Sequence, residues 1–133
     1  MNMVLTKLFG TKSERETKKL VPLINEINQF YETLSSKSDE DLANRTHELR
    51  EIVINTQETK KESLPDNISR QEQQDAILKV EQDVLDSIMV ESYAIVKETC
   101  RRMCGSSWRV SGHDTIWEMI PYDVQIMGAV TLH

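Results

Sequence analysis

Apolar residues recur at spacings of three and four over most of the first hundred positions, the period of helices with one buried face. Leu20, Leu23, Ile24, Ile27, Phe30, Tyr31 and Leu34 form one such stripe. Ser13 and Glu16 have the spacing of a capping box, so a helix is expected from there to about Leu34. Pro22 removes one backbone donor and predicts a kink or a late start. Ser38 opens a second start signal. Asp39, Glu40 and Asp41 follow it in the first turn, where the helix dipole favours anions. Leu42, Thr46, Leu49 and Val53 then share a face. Residues 55–69 lose the period and contain Pro65-Asp66-Asn67, which predicts a loop. From Arg70, Ile77, Val84, Ile88 and Ile95 recur beside Leu78, Leu85, Met89 and Val96. That pattern predicts one long helix, or two in line, to about Met103.

The two ends read differently. Residues 1–9 predict a short amphipathic helix with Val4, Leu5, Leu8 and Phe9 on one face and Gly10 as its stop. Residues 105–121 lack helical periodicity, contain Trp108, Gly112, Trp117 and Pro121, and read as irregular. Asp123 is placed to cap a last helix over residues 124–133, apolar on most sides through Val124, Ile126, Met127, Ala129, Val130 and Leu132. Such a helix is expected to be buried. The chain stops inside it, which predicts a piece of a longer protein. Uncovered Ile126, Met127, Val130 and Leu132 would then favour self-association or disorder beyond about residue 105. The expected fold class is all-α, divided as follows: an N-terminal helix (1–12), a helical scaffold (13–54), a loop (55–69), a long helix or helix pair (70–104), and a distinct C-terminal part (105–133).

Composition narrows the function classes. The 133 residues suit one domain that buries about two-thirds of its surface. Charged residues are 29%, and no run approaches the roughly 20 apolar residues of a spanning helix. Four glycines and three prolines argue against a turn-rich sandwich or barrel. A net charge of −6 disfavours a nucleic-acid partner held by a general basic field. The charge is uneven: residues 1–19 carry five bases and two acids. A basic end on an acidic body can meet an anionic lipid surface, or can simply be a solvated helix end. Two cysteines make no disulfide framework, and residues 1–10 lack the features of a signal peptide, so a cytoplasmic chain is expected.

Candidate chemistry is sparse. There is no Gly-rich phosphate loop and no His-Glu-x-x-His pattern. Cys100 and Cys104 lie one turn apart, but with His113 they make an incomplete ligand set, so no metal site is expected. His113 and His133 have no recognisable acid–base partner, and no catalytic residue is assigned. Asp39–Asp41 reads as a helix start rather than a cation cluster. Tyr122-Asp123-Val124-Gln125 has more potential. A glutamine amide can accept from adenine N6–H and donate to N7, a match guanine lacks, while a nearby aromatic ring can stack on the base. The competing reading has Tyr122 packed and Gln125 capping its helix or facing solvent.

At these residues the chain resembles a known family. The run from Tyr122-Asp123-Val124-Gln125 through Gly128-Ala129 to Leu132-His133 resembles the segment that opens the first nucleotide-binding domain of SecA, the preprotein translocase ATPase family. Leu8-Phe9-Gly10 with Ser13-Glu14-Arg15 resembles the family's start. Ile24-Asn25-Glu26-Ile27-Asn28 and the stretch from Leu34 through Asp39-Glu40-Asp41-Leu42 to Thr46 and Leu49 resemble its first helices. Tyr93-Ala94-Ile95-Val96-Lys97-Glu98 followed by Arg101-Arg102-Met103 resembles a further helix. Residues 55–85 and 105–119 look like insertions into the pattern.

The resemblance implies an N-terminal part of an ATP-driven motor that exports preproteins through the SecYEG channel. In the parent, the C-terminal part would join an α/β P-loop helicase-like motor domain. Gln125 would read adenine, with Tyr122 beside the base and Met119 as the apolar residue preceding it. Val4, Leu5, Lys7, Leu8 and Phe9 would contact membrane or channel. The implied cofactor is ATP with Mg, and the implied partners are SecYEG, preproteins, an acidic phospholipid surface and a second copy of the parent. The implied location is the cytoplasm and the cytoplasmic face of the inner membrane. The phosphate loop, of the Gly-Glu-Gly-Lys-Thr type, is not in this chain, so it should not hydrolyse ATP alone. The alternative is a free-standing helical interaction module without nucleotide binding.

Overall fold

Three long helices carry the architecture of the computed structural model, which describes residues 12–65 and 67–133, without the side chains of residues 12–14 and 16. Helix α1 spans Lys12–Leu34, α2 Asp39–Ser63 and α3 Arg70–Met103. Both α1 and α2 pack along α3. A hairpin of β1 (Ser107–Val110) and β2 (His113–Ile116) follows, and α4 (Asp123–Leu132) returns to pack on α1.

Local chemistry explains the helix bounds. α1 is continuous through Pro22, so of the expected kink or late start the late start does not occur. Pro22 is exposed, and water can take the carbonyl that its missing donor leaves free. The expected Ser13–Glu16 cap falls on side chains outside those described. At α2, Asp41 N–H donates to Ser38 Oγ at 3.0 Å and Ser38 N–H donates to Asp41 Oδ2 at 2.9 Å. Replacing Ser38 by Ala should therefore cost about 1 kcal/mol in urea unfolding, and a cost near zero would show the cap to be idle. Ser69 and Glu72 form the same reciprocal cap on α3.

The loop expected over residues 55–69 is shorter: α2 continues to Ser63, leaving only residues 64–69 between the helices. The apolar period fades there because α2 has no buried residue beyond Leu49, not because the helix ends. Residues 55–63 contain no glycine or proline, and Lys60 and Lys61 suit the helix C-terminus. α3 is a single 34-residue helix, about 50 Å long.

The core sits at one end of this assembly. Ile24, Ile27, Leu34, Leu42, Leu49, Ala94, Ile95 and Ile126 form one buried cluster, with Phe30, Tyr31, Ile88 and Tyr93 packed against it. At its edge Glu98 is 1% exposed. Arg101 donates to both of its carboxylate oxygens at 2.8 and 2.7 Å, and Arg102 Nε donates to Oε1 at 2.7 Å. Arg102 also donates to the carbonyls of Leu34 (3.0 Å) and Lys37 (2.7 Å) and to Asp39 Oδ1 (2.6 Å). One guanidinium thus closes the end of α1, the turn after it and the start of α2 onto α3. Asp39 and Asp41 act as helix-start residues, as expected.

The stretch read as irregular, 105–121, holds the hairpin. β1 and β2 pair antiparallel, with Trp108 opposite Thr115 and Arg109 opposite Asp114. Ser111 and Gly112 have φ of 50° and 86°, the left-handed pair of a two-residue hairpin turn. Four residues per strand are too few to establish a period. Every strand residue is exposed, and Trp108 stacks on Trp117 with ring centroids 6.0 Å apart. The segment beyond residue 105 is therefore folded as hairpin and helix.

The last helix departs from expectation in two ways. It begins at Asp123, so Tyr122 holds the cap position, and the Asp123 carboxylate turns toward α1 and α3 instead. It is also far from fully buried: Ile126 is its only buried residue, while Val124 and Leu132 are 71% and 90% exposed. The reason is geometric. α1 is the one described element packed along it to any extent. No helix among the described residues is long and apolar enough to cross a membrane.

Candidate functional site at the start of the last helix

The turn from Met119 to Gln125 gathers the sequence-predicted base-binding residues. The hairpin fixes its entry, because Trp117 Nε1 donates to the Met119 carbonyl at 2.7 Å and Trp117 N–H donates to the Ser106 carbonyl at 2.9 Å. Met119 is 46% exposed and Tyr122 73% exposed, so Tyr122 is not packed and its ring is open to a ligand. Gln125 is exposed on the first turn of α4.

Gln125 has a defined amide orientation. Its Oε1 accepts the Tyr122 N–H at 2.8 Å, which only the oxygen of an amide can do. The capping role weighed against adenine reading is therefore realised. It does not exhaust the amide. The oxygen retains a second lone pair, and Nε2 makes no hydrogen bond among the described residues. One acceptor and one donor remain on the same exposed group, the pair that the N6 and N7 edge of adenine requires.

Residues outside the motif hold the turn in place. Asp123 Oδ1 accepts from Asn28 Nδ2 at 3.1 Å on α1 and from Lys97 Nζ at 3.2 Å on α3. Lys97 also donates to Asn28 Oδ1 at 2.6 Å and lies 5.3 Å from the centroid of the Tyr31 ring. The Asn28 hydrogen bond, then the bond and charge of Lys97, hold the Asp123 carboxyl below the usual range. Nothing in residue type or spacing marked Asn28 and Lys97 as supports, because they come together only in the fold.

Of the other candidates, His133 does find a carboxylate, its Nε2 lying 3.2 Å from Asp86 Oδ1 and 3.2 Å from Gln82 Nε2 on α3, whereas the cysteines and His113 do not assemble. Cys104 Sγ contacts the Cys100 carbonyl at 3.5 Å, burial pushes the Cys100 thiol up, and His113 sits on β2. No metal-holding cluster exists among the described residues. Val4, Leu5, Lys7, Leu8 and Phe9 lie outside the described residues. An apolar cleft of about 910 Å³ between α2 and α3 is lined by Leu42, Leu49, Val53, Ile88 and Val96, and none of Met119, Tyr122 and Gln125 borders it.

Comparison with known proteins gives a consistent family. The SecA DEAD-like domain family matches residues 5–133. The chain is 34% identical to "Protein translocase subunit SecA" of Chlorobaculum tepidum, with all of the chain and 15% of that protein covered. It is 37% identical to the protein of the same name in Prosthecochloris aestuarii, again with all of the chain and 15% of the relative covered. With that of Chloroherpeton thalassium it is 37% identical, over 97% of the chain and 14% of the relative. The chain thus spans about 15% of the length of the curated relatives it matches. The first two alignments run over 151 positions against 133 residues here, so these relatives hold residues that this chain lacks. No solved structure matches.

Proposed function

This chain belongs to the SecA family, and from that premise we propose that it serves in ATP-driven protein export as the part of the motor that reads the adenine base. The observation that carries this reading is the half-used amide of Gln125 beside the open ring of Tyr122. Gln125 supplies donor and acceptor to the base, Tyr122 stacks on it, and Met119 gives an apolar edge. These residues fit the base of ATP and not its phosphates. Nothing in the sequence resembles a phosphate loop, so holding the phosphates and Mg falls to other parts of a longer protein. ATP itself would supply the free energy of transport, and these residues select the nucleotide. The wider reading places the motor at the cytoplasmic face of the inner membrane, working with SecYEG, preproteins, acidic phospholipid and a second copy of itself. Residues 1–12 would make the membrane or channel contact. The support for this wider reading is family membership and the basic N-terminal sequence.

The test uses nucleosides, which need no phosphate site. In a titration followed by 15N NMR, adenosine should shift the Gln125 side-chain amide and the Tyr122 backbone amide, and guanosine should not. Gln125→Glu keeps an acceptor for the Tyr122 N–H but loses the Nε2 donor. It should weaken adenosine binding about tenfold without unfolding α4. Equal responses to the two nucleosides, or none, would remove the adenine assignment. The exposed Val124 and Leu132 favour a second reading, a helical module that covers this face with a partner protein. Its partner binding would be indifferent to adenosine and to Gln125→Glu.

A further inference from the structure

We propose that Lys97 and Asn28 are positioning residues for the adenine-reading turn, holding it through Asp123 without touching the base themselves. The inference rests on the reading of Gln125 given above and adds the device that sets its placement.

The first turn of α4 has few anchors. Ile126 is its one buried apolar residue. Asp123 is its polar anchor, and both tethers converge on a single carboxylate oxygen, Oδ1, from two different helices. Asp123 is two residues from Gln125, and Gln125 is bonded back to the N–H of Tyr122. Fixing Asp123 therefore fixes the whole Tyr122–Gln125 turn relative to α1 and α3. Lys97 is well placed to do so. Its side chain is only 13% exposed, and its ammonium faces the Asn28 oxygen, the Asp123 carboxylate and the Tyr31 ring. A partly desolvated ammonium with this many partners is held more firmly than a solvent-exposed surface ion pair. Asn28 bridges the other two groups, donating to Asp123 and accepting from Lys97. The turn thus depends on the relative placement of α1 and α3, because each supplies one arm.

The experiment compares Lys97→Met, Lys97→Arg and Asn28→Ala in the whole chain. Two quantities are read by NMR: the adenosine dissociation constant, and the hydrogen-exchange protection of amides 126–129 relative to those of Ala94 and Ile95. Lys97→Met and Asn28→Ala should each weaken adenosine at least fivefold and lower α4 protection about tenfold, with Ala94 and Ile95 unchanged. Lys97→Arg, which keeps the charge, should recover most of both. If Lys97→Met binds adenosine like the parent protein, the positioning role is overturned. If the unaltered chain shows no preference for adenosine over guanosine, the base-reading assignment fails. The tether is then judged by exchange alone, and unchanged α4 protection in Lys97→Met and Asn28→Ala refutes it. Should Lys97→Met unfold the chain, Asn28→Ala decides the question by the same two readouts.

Discussion

Replacing Glu98 by Gln is expected to cost about 3 kcal/mol of stability at pH 7, measured by urea unfolding. Glu98 is 1% exposed, and its carboxylate is bonded by Arg101 and Arg102. The hydrogen bonds of Arg101 first, then those of Arg102, hold its carboxyl down to about 2 from an ordinary 4.5. The amide of Gln keeps the shape but offers one acceptor and turns a donor toward two guanidinium groups. Arg102 then loses the charge that holds it over the carbonyls of Leu34 and Lys37, so the α1–α2 connection loosens with it. The same shift fixes the pH dependence. A carboxyl whose folded value lies below its unfolded value stabilises the fold fully above the unfolded value, and that contribution is lost as pH falls through the folded one. Stability should therefore be flat in this respect above about pH 5 and fall toward pH 2 by about 3 kcal/mol, an order-of-magnitude figure. In Glu98→Gln that part of the acid slope should vanish. An unchanged slope would show that other carboxylates govern acid unfolding.

The helices were legible because their physics is local. The stripe from Leu20 to Leu34 and the Ser38 cap need only neighbours three or four residues away. Ser69-x-x-Glu72 was equally local and marks the true start of α3. The extension of α2 to Ser63 was hidden because its last turns bury nothing and so carry no apolar period. The hairpin was hidden for another reason: its strands have four residues each, and the Ser111-Gly112 turn is a weak signal outside a clear alternation. Gln125 and Tyr122 could be singled out by chemistry and resemblance alone. Their supports could not, since Asn28 and Lys97 lie 69 positions apart and meet through the packing of α1 on α3. The role of Asp123 changed for the same reason. Sequence placed it at a cap, whereas its strongest partners lie on other helices.

Ile27→Ala is expected to cost about 4 kcal/mol and to lower the melting temperature by roughly 10–15 °C. Ile27 has no exposed surface and belongs to the cluster that joins α1 to α3 and, through Ile126, to α4. The deletion leaves a cavity that three packed helices cannot easily close. Ile126→Ala makes the informative contrast. Ile126 is 4% exposed, yet it is the only fully buried residue of a ten-residue helix, where Met127 and Val130 are just partly buried against the same cluster. Truncating it should release α4 locally at about 2 kcal/mol or less, leaving the α1–α3 melting transition nearly in place. Calorimetry separates the two, with a single lowered transition for Ile27→Ala and a nearly normal one for Ile126→Ala. A full-sized drop for Ile126→Ala would mean that α4 is part of the cooperative core. The contrast bears on function because Gln125 precedes Ile126 directly. A base-reading turn whose chief anchors on α1 and α3 are Ile126 and the Asp123 carboxylate, with Met127 and Val130 only partly buried behind it, sits at the low-stability end of the molecule. Loss of either anchor should then abolish adenosine selectivity well before it unfolds the scaffold beneath.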